Sequence, residues 1–228
     1  MASQTLPRLG WLASHALKWL SWWIGHYEAC ALLDAYKVFL LDREGFDRFL
    51  SPSPRRSLLD IGIGAGDVHL ELAPLFEHAK ATEIAYCAWR RACARGINCL
   101  QVDLSRCFWP WEERFDLVAL LNVLDRSERP LTLLQRSIQL VAPRGHLLIA
   151  MPLPYRPYVD RPRGGADPEE WLPIDGNDFQ SSVVSFLDFL ESLNLMVLRW
   201  ARLPYLSSGD WWEAKYVHDD VLVLVALR

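Results

Sequence analysis

No C-x-x-C pair occurs in this chain, and its five cysteines, at 30, 87, 93, 99 and 107, form an odd set that fits neither a disulfide scaffold nor a zinc site. They are expected to be reduced, mostly buried thiols of an intracellular protein, with cytoplasm and organelle both left open. No stretch reaches the roughly 18 apolar residues of a membrane span. The nearest candidate, WLASHALKWLSWWIG at 11–25, is interrupted by His15 and Lys18 and makes a poor signal peptide. Excess positive charge is missing too. Lys and Arg number 24 against 28 Asp and Glu, a net charge of -4, which argues against a protein that wraps nucleic acid.

What the chain does contain is apolar residue, 51% of its composition against 23% charged, the balance of a folded globular protein. Its 228 residues, at roughly 100 to 200 per domain, leave room for one domain and an extension. Near the N-terminus Leu12, Ala16, Trp19, Trp23, Tyr27 and Cys30 recur at intervals of three and four, the spacing of one helix face. That face is expected to pack over the main domain, with a membrane surface or a partner as the competing use of its tryptophans. SPSPRR at 51–56 breaks the helical pattern and reads as a linker, so residues 1–50 are taken as a helical extension and 51–228 as the main domain.

From residue 57 short apolar runs alternate with helical stretches: SLLDIGIG, DVHLELAPLFEH, AKATEIA, AYCAWRRACARG, INCLQVDL, FDLVALLNVL, PLTLLQRSIQLVA and GHLLIAMPL. Such alternation specifies an α/β fold with a doubly wound parallel sheet. A Pro- and Gly-containing loop follows at 152–176, then a helix near 178–193. Two strand-like runs, NLMVLRWARL and DDVLVLVALR, have no helix between them and so predict an antiparallel pair.

The first strand ends in D-I-G-I-G-A-G-D, where glycines let the backbone approach a ligand at a helix start. A nicotinamide-dinucleotide fingerprint, G-x-G-x-x-G/A, fails in both registers, because Asp67 or His69 would occupy the last slot. The run resembles instead the first motif of class I S-adenosylmethionine (SAM)-dependent methyltransferases, D-x-G-x-G-x-G, carried by Asp60, Gly62, Gly64 and Gly66. That resemblance implies a Rossmann-like seven-stranded sheet ending in an antiparallel pair, with SAM as cofactor and S-adenosylhomocysteine (SAH) as product. It also implies that Glu83, at the end of the second strand, meets the ribose hydroxyls and that Asp103, after the third, meets the adenine. A carboxylate suits a diol, since it offers two acceptor oxygens.

The fourth strand runs into LLNVLDR, at the sheet edge where ligands of such folds lie. An N/D-P-P-Y motif is absent there, which argues against a nucleobase-amine or glutamine methyltransferase. LLNVLDRSERPLTLL, MPLPYRPYV at 151–159, RLPYLSSGD at 202–210 and KYVHDDVLVL at 215–224 together resemble the signature segments of the methyltransferase-like 9 (DREV) family. The resemblance spans roughly residues 57 to 228 and implies a protein-histidine methyltransferase acting on the pros nitrogen of His in His-x-His sequences.

It implies further that Asn122, Asp125 and Tyr216 line the target imidazole, with Asn122 also beside the cofactor. Only neutral imidazole has a nitrogen lone pair. A carboxylate on the tele N–H would leave the pros nitrogen free to attack, and Asp125 is the choice for that role. Tyr155, Tyr158, Tyr205 and Asp210 are the candidates for a peptide groove. Competing readings are a small-molecule N- or O-methyltransferase and a non-catalytic SAM-binding scaffold. The expected partners are His-x-His proteins or peptides bound by a monomer, without nucleic acid or metal.

Overall fold

The computed structural model describes residues 11–35, 37–110, 112–208 and 215–227. Two N-terminal helices, α1 (Trp11–Ile24) and α2 (His26–Leu32), precede a two-residue strand β1 (Val38–Phe39) and helix α3 (Arg43–Leu50). The alternating part then runs β2 (Ser57–Ile61), α4 (His69–Leu72), β3 (His78–Glu83), α5 (Tyr86–Ala94), β4 (Cys99–Gln101), β5 (Phe115–Leu121), α6 (Pro130–Gln139) and β6 (Val141–Pro152). Helix α7 (Phe179–Ser192) leads to the long strands β7 (Leu195–Ser208) and β8 (Lys215–Leu227).

The strands form one sheet in the order β1-β7-β8-β6-β5-β2-β3-β4. Pairs among β2 to β6 are parallel, while β8 runs antiparallel to both β6 and β7. Without β1 this is the seven-stranded α/β sheet expected from the alternation and from the two unhelixed runs. The short β1, antiparallel at the β7 edge, was not legible in the sequence.

Side chains of successive strand residues point to opposite faces, and each face has its own core. Leu59, Ile61, Val118, Leu120, Leu147, Ile149, Val221 and Val223 pack against Leu133 and Leu134 of α6 and Phe186 and Leu190 of α7. The alternate set, Leu58, Leu117, Ala119, Leu148, Leu222 and Leu224, packs against Phe46 and Leu50 of α3 and Leu72 of α4. Residues before 51 therefore contribute both a strand and core side chains to the same sheet. Helix α7 is fixed at its start by a capping box in which Asp178 accepts from the Ser181 N–H at 2.8 Å.

Two helical expectations come out differently. DVHLELAPLFEH gives only the four residues of α4 and a 3-10 turn at Ala73–Leu75, because Pro74 has no N–H to continue the ladder. In the N-terminal segment Gly25, at φ +93°, ends α1, so Tyr27 and Cys30 belong to a second helix with its own direction. Leu17, Leu20 and Ile24 then form the inner face of α1 against Ala29 and Cys30, and the stripe of Leu12, Trp19 and Trp23 faces outward.

Candidate active site

The strand order reverses between β2 and β5, and the crevice beyond their carboxyl ends is where an open α/β sheet accepts a ligand. A cavity of ≈ 570 Å³ opens there, lined by the glycine loop, Glu83, Asp103, Asn122, Asp125, Tyr205 and His218, and closed on one side by Tyr27, Glu28 and Cys30 of α2.

The loop after β2 turns sharply because Gly62, Gly64 and Gly66 all have positive φ, at 71°, 57° and 88°. A Cβ at Gly62 would stand 2.4 Å from Cγ2 of Val123, so the glycine loop rests directly on the LLNVLDR turn. At Gly64 a Cβ would meet nothing within 4 Å, which leaves the backbone facing open space. Asp60 is buried beneath this loop and pairs with His69, Oδ2 to Nδ1 at 2.9 Å.

Glu83, at the end of β3, is buried and accepts three backbone N–H groups: Gly64 on Oε2 at 2.6 Å, and Ile84 and Ala85 on Oε1 at 2.8 Å each. Burial raises its pKa, and the three N–H bonds oppose the rise. These bonds take three of the roughly four acceptor sites of a carboxylate and lock its orientation toward the cavity. Asp103 turns back on itself, with Oδ1 accepting from the Ser105 N–H at 2.8 Å and its hydroxyl at 2.6 Å.

Beyond β5 the chain leaves the sheet through Asn122, whose φ of +57° is a conformation Asn adopts more readily than most residues. Both amide atoms of Asn122 and Oδ1 of Asp125 are buried without a hydrogen-bond partner among the described residues. Oδ2 of Asp125 faces the Arg126 Nε at 3.1 Å. Burial raises the Asp125 pKa, against the lowering pull of Arg126 and His218. Buried polar atoms are rarely left unpaired in a native structure, so this cluster fits a polar group brought by a ligand.

The remaining residues singled out by sequence fall into two groups. Tyr205 and Tyr216 flank His218 on the β7–β8 hairpin, with ring centroids 6.1 Å away in each case and the Tyr216 ring nearly parallel at 12°. Tyr155 and Tyr158 lie on the segment after β6. The Tyr158 N–H donates to the Asp125 carbonyl at 2.9 Å, and its ring lies 5.9 Å from the Arg126 guanidinium. Tyr155 packs edge-on to Trp171 at 6.4 Å, and its hydroxyl is pushed up to about 12, by burial first and then by Asp125. Asp210 lies outside the described residues.

Three residues were missed by sequence reasoning. His218 lines the cavity, held toward its neutral form by burial and Arg126, with Asp125 opposing. Asp220 is fully buried, with neither oxygen hydrogen-bonded among the described residues, and is pushed up to about 8 by burial. The Asn122 amide opposes that rise without reaching hydrogen-bond geometry, while Asp125 adds to it. The period of two along β8 puts both on the face of Tyr216, a signal available once Tyr216 was chosen. The third is Glu28, whose carboxylate accepts the Tyr86 and Cys87 N–H groups at 2.7 and 2.6 Å and ties α2 to the start of α5.

A family model described as DREV methyltransferase matches residues 11–227. Among solved structures, the N-methyltransferase NodS from Bradyrhizobium japonicum WM9, in complex with SAH, is 18% identical over 80% of this chain and 84% of that one, with a TM-score of 0.51. The glycopeptide N-methyltransferase MtfA, complexed with SAM, is 13% identical over 82% of this chain and 87% of its own, with a TM-score of 0.54. A SAM-dependent methyltransferase from Clostridium acetobutylicum ATCC 824 is 12% identical over 82% and 92%, also with a TM-score of 0.54. At these identities the likeness is one of fold.

Proposed function

Since the chain belongs to the DREV methyltransferase family, we propose that it transfers a methyl group from SAM to the pros nitrogen (Nδ1) of histidine in His-x-His sequences of proteins. Family and fold both support methyl transfer from SAM. The choice of a histidine nitrogen rests chiefly on Oδ1 of Asp125 and the amide of Asn122, buried without a hydrogen-bond partner among the described residues.

The cavity suits the cofactor. Gly64 leaves its backbone open to an incoming group, Glu83 is held rigid at the end of β3, and Asp103 stands at the cavity wall. Gly62, Gly64, Gly66, Glu83 and Asp103 would hold SAM, with Asp60 supporting the loop from below and Asn122 at the methyl end. When bound, the cofactor supplies an electrophilic methyl group on a sulfonium sulfur.

The protein's own contribution is to choose the attacking nitrogen. Asp125 Oδ1 accepts the N–H of the tele nitrogen (Nε2) of the acceptor imidazole, which leaves the lone pair on Nδ1. As Nδ1 gains a fourth bond the ring becomes cationic, and the same carboxylate offsets that charge and receives the Nε2 proton. Arg126 on Oδ2 keeps Asp125 oriented and favours its ionised form. Asn122 orients the ring, Tyr216 forms a wall, and Tyr155, Tyr158 and Tyr205 offer aromatic faces to the flanking peptide.

The test is transfer of labelled methyl from SAM to a synthetic His-x-His peptide and to matched peptides with either His replaced by Gln. Transfer that needs both histidines supports the proposal, and equal transfer to a peptide with no histidine refutes it.

A further inference from the structure

The outer face of α1 exposes a group of large apolar side chains. Leu12 is 76% exposed, Trp19 65%, Trp22 56% and Trp23 54%, and intervals of seven, three and one put them on one side of the helix. The opposite side is anchored, since Leu17, Leu20 and Ile24 pack on Ala29 and Cys30 of α2. Packing among the described residues thus does not account for the tryptophans, and an apolar helix face turned to water marks an interaction site.

Charge indicates what covers it. Residues 1–27 contain no Asp or Glu, so this segment carries only positive formal charge. Lys18 is exposed within α1, and exposed Arg163 sits beside the helix, its N–H donating to the Trp22 carbonyl at 2.9 Å. Tryptophan is the side chain most suited to the headgroup level of a bilayer, where the ring is apolar and the indole N–H stays wet. The helix has 14 residues, about 21 Å at 1.5 Å each, too short to span the roughly 30 Å hydrocarbon core. It can lie in the interface plane with Lys18 and Arg163 reaching outward to lipid phosphates.

We propose that the Trp19–Trp22–Trp23 face of α1, rimmed by Lys18 and Arg163, docks the protein on an anionic phospholipid bilayer. Because Tyr27, Glu28 and Cys30 of the adjoining α2 line the cavity, docking holds the cavity close to the bilayer surface.

The full chain is tested by co-sedimentation with vesicles of phosphatidylcholine containing about a third phosphatidylserine, and with pure phosphatidylcholine vesicles. Wild type should partition to the anionic vesicles, and Trp19→Ser/Trp22→Ser/Trp23→Ser should lower the partition coefficient at least about tenfold. Lys18→Glu/Arg163→Glu should remove the preference for anionic lipid, and raising the salt should weaken wild-type binding. Brominated lipids should quench wild-type tryptophan fluorescence, a readout that does not depend on any variant folding. Equal sedimentation of wild type and the triple variant, or absence of quenching, overturns the proposal. So does a vesicle-free dimer that the triple variant dissolves, since the face would then bind a second copy of the chain.

Discussion

Asp220 sits at zero exposure in β8, where burial pushes its carboxyl from 3.8 up to about 8. The displacement is 8 − 3.8, roughly four units, and at about 1.4 kcal/mol per unit it corresponds to about 6 kcal/mol. Below about pH 4 the acid is protonated in both folded and unfolded chains and costs nothing. As the pH rises toward 8 the unfolded chain ionises while the folded one holds its proton, so stability is progressively lost. Asp220→Asn keeps the shape and removes the titration. Local relaxation and water entry reduce such penalties, so the variant should match wild type near pH 4 and gain about 2–3 kcal/mol by pH 9. Glu83, also raised by burial, is present in both proteins and cancels in the comparison, whereas Asp125 is coupled to Asp220 and loses a neighbouring negative charge in the variant, which adds to the gain at high pH. Urea denaturation at a series of pH values measures the difference, with the m-value unchanged if only stability moves. A gain that does not vary with pH, or a variant that loses stability as the pH rises, would refute the reasoning.

Asp125→Asn should lower kcat/KM for a His-x-His peptide by about 10²- to 10³-fold, while calorimetry finds SAH affinity within about twofold of wild type. Gly62→Ala places a methyl 2.4 Å from Val123 Cγ2 at φ +71°, and should cost about 2–4 kcal/mol by chemical denaturation. Gly64→Ala meets no atom within 4 Å, and should cost only about 1 kcal/mol while weakening SAH binding. Glu83→Ala frees three backbone N–H groups and should weaken SAH binding at least about tenfold by calorimetry. With neutral imidazole as nucleophile and ionised Asp125 as acceptor, kcat/KM should fall as the pH drops below about 6.5, approaching about tenfold per pH unit further down. An activity that rises on acidification would exclude both roles.

Much of the sheet could be read from the chain because buried parallel strands leave continuous apolar runs, and SLLDI, FDLVALL and HLLIAMP are such runs. The antiparallel ending was legible from the missing helix between β7 and β8. Local signals failed where tertiary structure decides. Spacing alone joined Trp19 and Trp23 to Tyr27 and Cys30, yet Gly25 separates them, and the face that packs is the one carrying Leu17. The glycine loop was conspicuous because positive φ restricts the residue types that fit. His218 and Asp220 were not, because KYVHDD looks like an ordinary strand start until β8 is laid beside the end of β6 and Pro152 is paired with Asp220. Nothing in the spacing of α2 shows that Glu28 reaches α5, a contact across 58 residues.

The central claim is that this chain methylates a chosen nitrogen of a histidine ring. The most direct measurement is acid hydrolysis of a His-x-His peptide after reaction with labelled SAM, followed by chromatographic separation of the two methylhistidine isomers. The account predicts label in the pros isomer, with Asp125→Asn strongly reducing it. Label confined to the tele isomer, or no labelled histidine, would contradict it.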